Sequence, residues 1–145
     1  MSANMDLVRS IYAAREGRDS GPTEWAHAKI EFVFADGPEP GRWTGVTGMR
    51  GAWRDFMSAW EDYRLVVDEL RELDHERVLV IGHYTGRGKA SGVELGQVGA
   101  KGASVYHVRD GKVTKIVGYF DQKHALADLG IAPEGATPAK RAVSE

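Results

Sequence analysis

A helical spacing of apolar residues occurs twice in the first half of the chain. Near the start, between Asn4 and Gly17, the apolar positions lie three and four apart: Met5, Val8, Ile11 and Tyr12. This spacing predicts an amphipathic helix, with Asn4 as its N-cap and Gly17 as its stop. A second stripe consists of Met49, Trp53, Phe56, Met57 and Trp60. It predicts a helix that is capped by Thr47 and runs to about Trp60.

Alternating apolar and polar residues predict strands in the rest of the chain. The segments with this pattern are 30–35, a short piece that begins at Trp43, 63–73, 77–84, 103–109 and 112–121. Segment 63–73 fits a helical period about as well, but the turn-like Asp74-His75-Glu76 after it favours a hairpin. Segment 36–42 contains two prolines and two glycines and is interpreted as a turn.

The end of the chain predicts a hairpin, a helix and a tail. Asp110-Gly111 favours a tight two-residue turn between the last two strands. A regular ladder from that turn makes these pairs: Arg109 with Lys112, His107 with Thr114, and Val105 with Ile116. A last helix at 122–129 stops at Gly130, and segment 132–145 is predicted to be disordered. Helices followed by antiparallel strands predict one α+β domain over residues 1–131.

Composition and charge exclude several classes of function. The chain has no cysteine, which excludes disulfides, thiolate metal sites and a cysteine nucleophile. A net charge of −2 and a pI near 6.2 give no general attraction to nucleic acid or anionic lipid. No apolar run approaches the ~20 residues that span a bilayer, and the start does not resemble a signal peptide. We therefore expect a cytoplasmic protein without nucleic-acid or membrane partners.

The sequence shows no known cofactor or metal motif. Its five histidines lack the paired spacing that is typical of a metal site. The glycine runs at 45–51 and 86–92 match neither a P-loop nor the dinucleotide-binding pattern. A Gly-x-Ser-x-Gly elbow for a serine nucleophile is also missing. We expect neither a metal nor an organic cofactor.

Two segments carry a family resemblance: GRGKASGVELG at 86–96 and RDGKVTKIVGYFDQKHALADLGI at 109–131. Together with the order of elements and the tryptophan-bearing second helix, they resemble the SnoaL-like domain over about residues 6–131. That family belongs to the nuclear-transport-factor-two-like superfamily, which includes ketosteroid isomerase, polyketide cyclases and limonene epoxide hydrolase. The resemblance implies a conical α+β barrel, in which a strongly curved antiparallel or mixed sheet wraps around the N-terminal helices and a short helix follows.

The resemblance also implies a homodimer that forms through the convex face of the sheet. Alternation along the last two strands predicts which residues point outward: Val105, His107, Ile116, Gly118 and Phe120.

Asp121 is the first candidate for chemistry. Alternation places it with Val117 and Tyr119 on one face of the last strand. By resemblance, an aspartate at this position serves as acid or base in polyketide cyclases. If that face lines the cavity, desolvation favours the protonated carboxyl and suits Asp121 to proton transfer. Asp121 also directly precedes the last helix and is a suitable N-cap, so both interpretations stay open.

The other catalytic candidates are residues with hydroxyl, carboxyl or imidazole side chains. Tyr12, Tyr119 and Tyr106 can each donate a hydrogen bond to a substrate oxygen. Tyr12 is favoured by resemblance, because ketosteroid isomerase uses a first-helix tyrosine in this way. Asp36 lies near the loop where that isomerase places its base, although a turn role is favoured for it. His83 points either into the pocket or outward into an interface.

The aromatic residues predicted to line a ligand site are Phe32, Trp43, Trp53, Phe56, Trp60 and Tyr106. Each taken alone is more simply a core residue, but together they offer wide, flat walls that suit a planar ligand. We therefore expect a protein that binds a small apolar or aromatic molecule. The favoured hypothesis is a cofactor-independent enzyme with acid–base chemistry of the isomerase, cyclase or hydrolase type on a small apolar or cyclic substrate. The alternative is a non-catalytic ligand-binding or dimeric accessory domain.

Overall fold

The fold was determined as a computed structural model, which describes residues 3–15, 24–37, 40–95 and 101–131. In chain order its elements are α1 Ala3–Arg15, β1 Ala26–Phe34, β2 Gly41–Thr44, α2 Gly45–Met57, β3 Trp60–Asp74, β4 Arg77–Gly88, β5 Lys101–Arg109, β6 Lys112–Tyr119 and α3 Gln122–Leu129. The six strands form one sheet in the order β2-β1-β6-β5-β4-β3. Only β1 and β6 are parallel neighbours within it. The predicted α+β class with a mixed sheet is confirmed, but the sheet is open rather than closed into a barrel.

The two faces of the sheet carry separate cores. On the inner face, Val8 of α1 and Met49 of α2 join buried residues of β1, β4, β5 and β6. On the outer face, Ala125 and Leu126 of α3 pack against β4 and β5. Both faces are apolar because helices cover both, so strand β4 presents an unbroken run of buried residues from Val78 to Gly82.

The second helix starts and ends earlier than predicted. Its N-cap is Thr44, which makes no side-chain capping bond, and Thr47 lies within the first turns. The helix ends at Met57 because Trp60 already pairs with Gly88 in the β3–β4 ladder. The first helix includes Ala3, so Asn4 lies inside it and is not the predicted N-cap. The proposed stop at Gly17 and the tail at 132–145 lie outside the described residues.

The last hairpin has the predicted turn but not the predicted register. Asp110 and Gly111 both adopt positive φ angles, 53° and 77°, as a two-residue turn of this type requires. Arg109 pairs with Lys112 as predicted.

A bulge then leaves Thr114 unopposed in β6, because Val108 pairs with Val113 while His107 pairs with Lys115. The predicted pairs of His107 with Thr114 and of Val105 with Ile116 are therefore wrong. One extra residue exchanges the two faces of a strand relative to its neighbour. Ile116 consequently lies opposite Tyr106, on the inner face.

The described helices include none that is long and apolar enough to cross a membrane.

Candidate functional site

A continuous set of aromatic rings covers much of the inner face. Phe34 of β1 lies 5.7 Å from Phe56 of α2 and 5.4 Å from Phe120, between ring centroids. The Phe56 ring in turn stacks on Trp53 at 5.7 Å and meets Tyr63 of β3 edge-on at 5.1 Å. Rings from one helix and three parts of the sheet thus meet around Phe56. Aromatic contacts of this kind hold flat walls at fixed angles.

A row of paired residues crosses the inner face through all six strands. The row runs Leu70, Val80, Ser104, Gly118, Phe34, Gly41. The two central members, Ser104 and Gly118, are small and only half-buried, whereas Val80 and Phe34 on either side are buried. Small residues flanked by large ones leave a depression in the middle of the sheet.

We call this depression the trough. Its floor is Ser104 and Gly118, and its nearest neighbours are Phe34, Val80, Tyr84 and Tyr106. At Gly118 an added Cβ atom would lie 3.6 Å from the Phe34 ring, which is ordinary van der Waals contact. A methyl group at Gly118 would therefore fit above the floor without a clash.

Tyr84 closes one end of the trough. Its ring lies across Gly102, where an added Cβ atom would come within 1.9 Å of the tyrosine oxygen. The Tyr84 hydroxyl donates to the backbone oxygen of Tyr119 at 3.1 Å. Burial, and secondarily the charge of Asp36, raises the pKa of Tyr84 well above its usual value. Tyr84 is consequently a neutral phenol at any physiological pH.

A second pair of hydroxyls lies on the α1 side of the inner face. Tyr106, which is buried, donates to the Tyr12 hydroxyl at 2.9 Å, and their rings meet edge-on. The structure brings these two predicted tyrosines together.

Asp121 and Tyr119 do not lie on the inner face. Asp121 is exposed, and its Oδ1 accepts a hydrogen bond from the Lys123 amide at 3.0 Å, which makes it the N-cap of α3. Tyr119 packs in the outer core and donates to Asp128 of α3 at 3.2 Å. The face of β6 that lines the interior carries Ile116 and Phe120 instead. The bulge at Thr114 is the physical reason, because it reverses the parity of β6 relative to β5.

Asp36 joins the β1–β2 loop to the start of α3. Its Oδ1 accepts from the Phe120 amide at 2.6 Å, and its Oδ2 pairs with Nδ1 of His124 at 2.7 Å. The hydrogen bond that His124 donates to Asp36, together with the charges of Asp128 and Asp121, raises the pKa of His124 despite some desolvation. Asp36 thus links two segments that are far apart in the sequence, in addition to its place in a local turn.

His83 lies on the outer face, away from the aromatic rings. It shares this face with Leu79 and Ile81, and its Nδ1 pairs with Asp68 at 2.9 Å. The outward direction considered for His83 is thus the one observed. Across the described ranges, no group of three or more histidine, aspartate and glutamate side chains is placed to hold a metal ion.

The predicted ligand-binding aromatics lie on the inner face, at different depths. Phe32 and Tyr106 are buried, whereas Trp43, Trp53, Phe56 and Trp60 are half-buried.

Sequence reasoning missed further residues around them: Phe34, Tyr63, Tyr84, Ser104, Gly118 and Phe120. Ile116 and Phe120 have large apolar side chains, whereas Asp121 carries a carboxylate. This difference was the sequence signal that could have identified the inner face of β6.

The set of residues predicted to point outward is wrong in part. Val105 does pack on the outer face, and His107 is half-buried with a pKa that burial and then Lys115 lower. Ile116 and Phe120 belong to the inner core. Gly118 lies in the trough between them.

Comparison with known proteins gives a family match and a shared fold. The family model for the SnoaL-like domain matches residues 8–116. No curated protein matches the chain. TerC co-crystallized with polyporic acid is similar in structure, with 24% identity and a TM-score of 0.67, over 88% of this chain and 98% of that chain.

Two bacterial structures are also similar. An NTF2-like protein from Burkholderia thailandensis E264 is 21% identical with a TM-score of 0.72, over 92% of this chain and 100% of that chain. A protein with a ketosteroid isomerase-like fold from Catenulispora acidiphila DSM 44928, in complex with trimethylamine, is 18% identical with a TM-score of 0.66, over 92% and 98%. At these identities the likeness concerns the fold.

Proposed function

The chain belongs to the SnoaL-like domain family, and from that premise we propose that it binds a small, uncharged, cyclic ligand in the trough. The observation that carries the proposal is the half-buried floor of Ser104 and Gly118 between the buried side chains of Val80 and Phe34 on an aromatic face. Small residues at the centre of a sheet, below rings that are themselves half-buried, form a concave apolar surface of the kind that binds small molecules.

The electrostatics of the inner face favour an uncharged ligand. The residues around the trough are apolar or carry hydroxyl groups, and the carboxylate of Asp36, whose charge acts on Tyr84, is already paired with His124. A charged ligand would lose its hydration without gaining an opposite charge. The ligands named for TerC and for the Catenulispora protein, polyporic acid and trimethylamine, support small-molecule binding by this fold.

The test uses two uncharged bicyclic probes, tetralin and 1-tetralone, added to isotope-labelled protein while backbone amide resonances are followed. We expect shifts that concentrate at Ser104, Gly118 and Phe120. The variant Gly118→Val should weaken binding of both probes, because its methyl groups extend into the trough. Val66→Ala is the matched control, since Val66 is 40% exposed and pairs with His83 on the outer face.

Either of two outcomes would contradict the proposal: no shifts at the inner face up to the solubility limit of the probes, or undiminished binding by Gly118→Val.

A second candidate function is cofactor-independent acid–base catalysis. The observation that favours it is the position of Asp36, whose carboxylate bonds the Phe120 amide and pairs with His124 while its charge acts on Tyr84. A ligand against Phe120 and Tyr84 would lie close to a group able to accept a proton and pass it to solvent through His124. Asp121, whose charge also acts on His124, stays a candidate in the same cluster.

Turnover of a panel of carbonyl and epoxide compounds tests this candidate. Loss of turnover in Asp36→Asn with retention in Asp121→Asn would assign the proton transfer to Asp36. The reverse pattern would assign it to Asp121. Full turnover in both variants, with a substrate that the wild type converts, would refute acid–base catalysis by this cluster.

A further inference from the structure

Ser104 presents a hydroxyl group that makes no hydrogen bond within the described structure. The other hydroxyls of the inner face are engaged: Tyr106 donates to Tyr12, and Tyr84 donates to the Tyr119 oxygen. Ser104 lies between them on β5, two residues from Gly102 and two from Tyr106, and its cross-strand partners are Val80 and Gly118. Ser104 is half-buried, and its hydroxyl is not one of the buried polar atoms that lack a partner, so it is open to solvent and available to a ligand.

The direction of this hydroxyl follows from the strand register. Ala103 and Val105 belong to the outer core, so the alternation of β5 directs Ser104 to the inner face. Its partner Val80 packs in the inner core, and its partner Gly118 has no side chain. The serine side chain therefore rises from the floor of the trough, where a bound ligand would cover it.

We propose that Ser104 determines ligand specificity, by forming a hydrogen bond with a carbonyl or hydroxyl oxygen on the ring system of the bound molecule. This inference rests on the proposed ligand site and deepens it, because it names the ligand class: uncharged cyclic molecules that carry an oxygen over the centre of the sheet. A serine hydroxyl can both donate and accept, so it suits a ketone and an alcohol alike.

The probe pair separates this inference from the proposed function. Tetralin and 1-tetralone have the same ring skeleton, but only 1-tetralone carries an oxygen. A net hydrogen bond contributes about 0.5–1.5 kcal/mol, so wild-type protein should bind 1-tetralone roughly two- to tenfold more tightly than tetralin. Ser104→Ala should bind 1-tetralone no more tightly than tetralin, because the buried carbonyl then lacks a partner, whereas Ser10→Ala should keep the preference for 1-tetralone. Ser10 is the matched control because it is exposed on α1 and its hydroxyl bonds the Leu7 oxygen.

A second measurement does not depend on any probe. Since the Ser104 hydroxyl has no hydrogen-bond partner among the described residues, Ser104→Ala should leave the melting temperature unchanged or raise it. A clear fall in melting temperature would show that the hydroxyl already bonds within the protein and would overturn the inference.

The binding outcomes are also distinct. If both probes shift the Gly118 amide and Ser104→Ala keeps the preference for 1-tetralone, the role of Ser104 is wrong while the ligand site stands. If neither probe shifts inner-face amides, the ligand site and the role of Ser104 fail together.

Discussion

Gly102 is a position where one added methyl group should perturb the aromatic wall directly. A Cβ atom there would lie 1.9 Å from the oxygen of Tyr84 and 2.5 Å from its Cζ. Gly102→Ala can therefore be accommodated only if the Tyr84 ring leaves its place across the strand. Tyr84 is buried and stacks on Tyr63 at 5.7 Å, so its displacement disturbs the aromatic wall as well.

The expected cost follows from two terms. Overpacking of a well-packed core costs typically about 1–3 kcal/mol. Displacing Tyr84 also breaks its hydrogen bond to the Tyr119 oxygen, at about 1 kcal/mol more. We therefore expect Gly102→Ala to lower the free energy of unfolding by about 2–4 kcal/mol. For a domain of this size, that corresponds to a fall of roughly 7–14 °C in melting temperature.

Urea denaturation, followed by tryptophan fluorescence and by far-ultraviolet circular dichroism, measures this change. Gly118→Ala is the matched control, because a Cβ atom at Gly118 makes only ordinary contact with Phe34 at 3.6 Å. It should stay within about 0.5 kcal/mol of the wild type. In a Tyr84→Ala background, Gly102→Ala should cost much less, as a double-mutant cycle would report. Equal stability of Gly102→Ala and Gly118→Ala would refute the reasoning.

Three further predictions concern the α3 region and assembly. The folded-state pKa of His124 is raised, chiefly by Asp36, so its stabilising contribution is complete below the unfolded value near 6.5 and is lost as pH rises through the folded value. Urea titrations at pH 5.5 and 8.5 should show this loss in the wild type and not in His124→Gln; an equal pH dependence in both would contradict it. Asp121→Ala should cost about 0.5–2 kcal/mol in the same assay, while Asp121→Asn stays near the wild type because asparagine also caps helices; equal losses would argue against capping. Sedimentation should report a homodimer formed through the convex sheet face, and a monomer at micromolar concentration would refute that expectation.

Local patterns in the sequence determined the class of fold and several of its details. The spacing of Trp53 and Phe56 predicted α2, and Asp110-Gly111 predicted the last turn, because both signals depend on backbone geometry within a few residues. Gly130 ends α3 with a φ of 69°, a left-handed conformation that favours glycine. The helix-capping role considered for Asp121 is of the same local kind.

The tertiary structure decided which face of β6 lines the interior, and in the sequence only the bulk of Ile116 and Phe120 indicates it. The bulge at Thr114 depends on how β5 and β6 pair, and no residue type at that position signals it. One unpaired residue moved Phe120 into the aromatic wall and left Asp121 at the surface. The prediction of the site assumed strict alternation along β6, and that rule does not allow for an extra residue in one strand.

Contacts between distant segments were also beyond the sequence. Asp36 and His124 are 88 residues apart, yet their side chains pair at 2.7 Å. Ser104 and Gly118 form the floor of the trough only because strand pairing places them side by side between larger residues. Period and propensity describe one segment at a time, whereas a binding surface depends on which residues of different segments become neighbours.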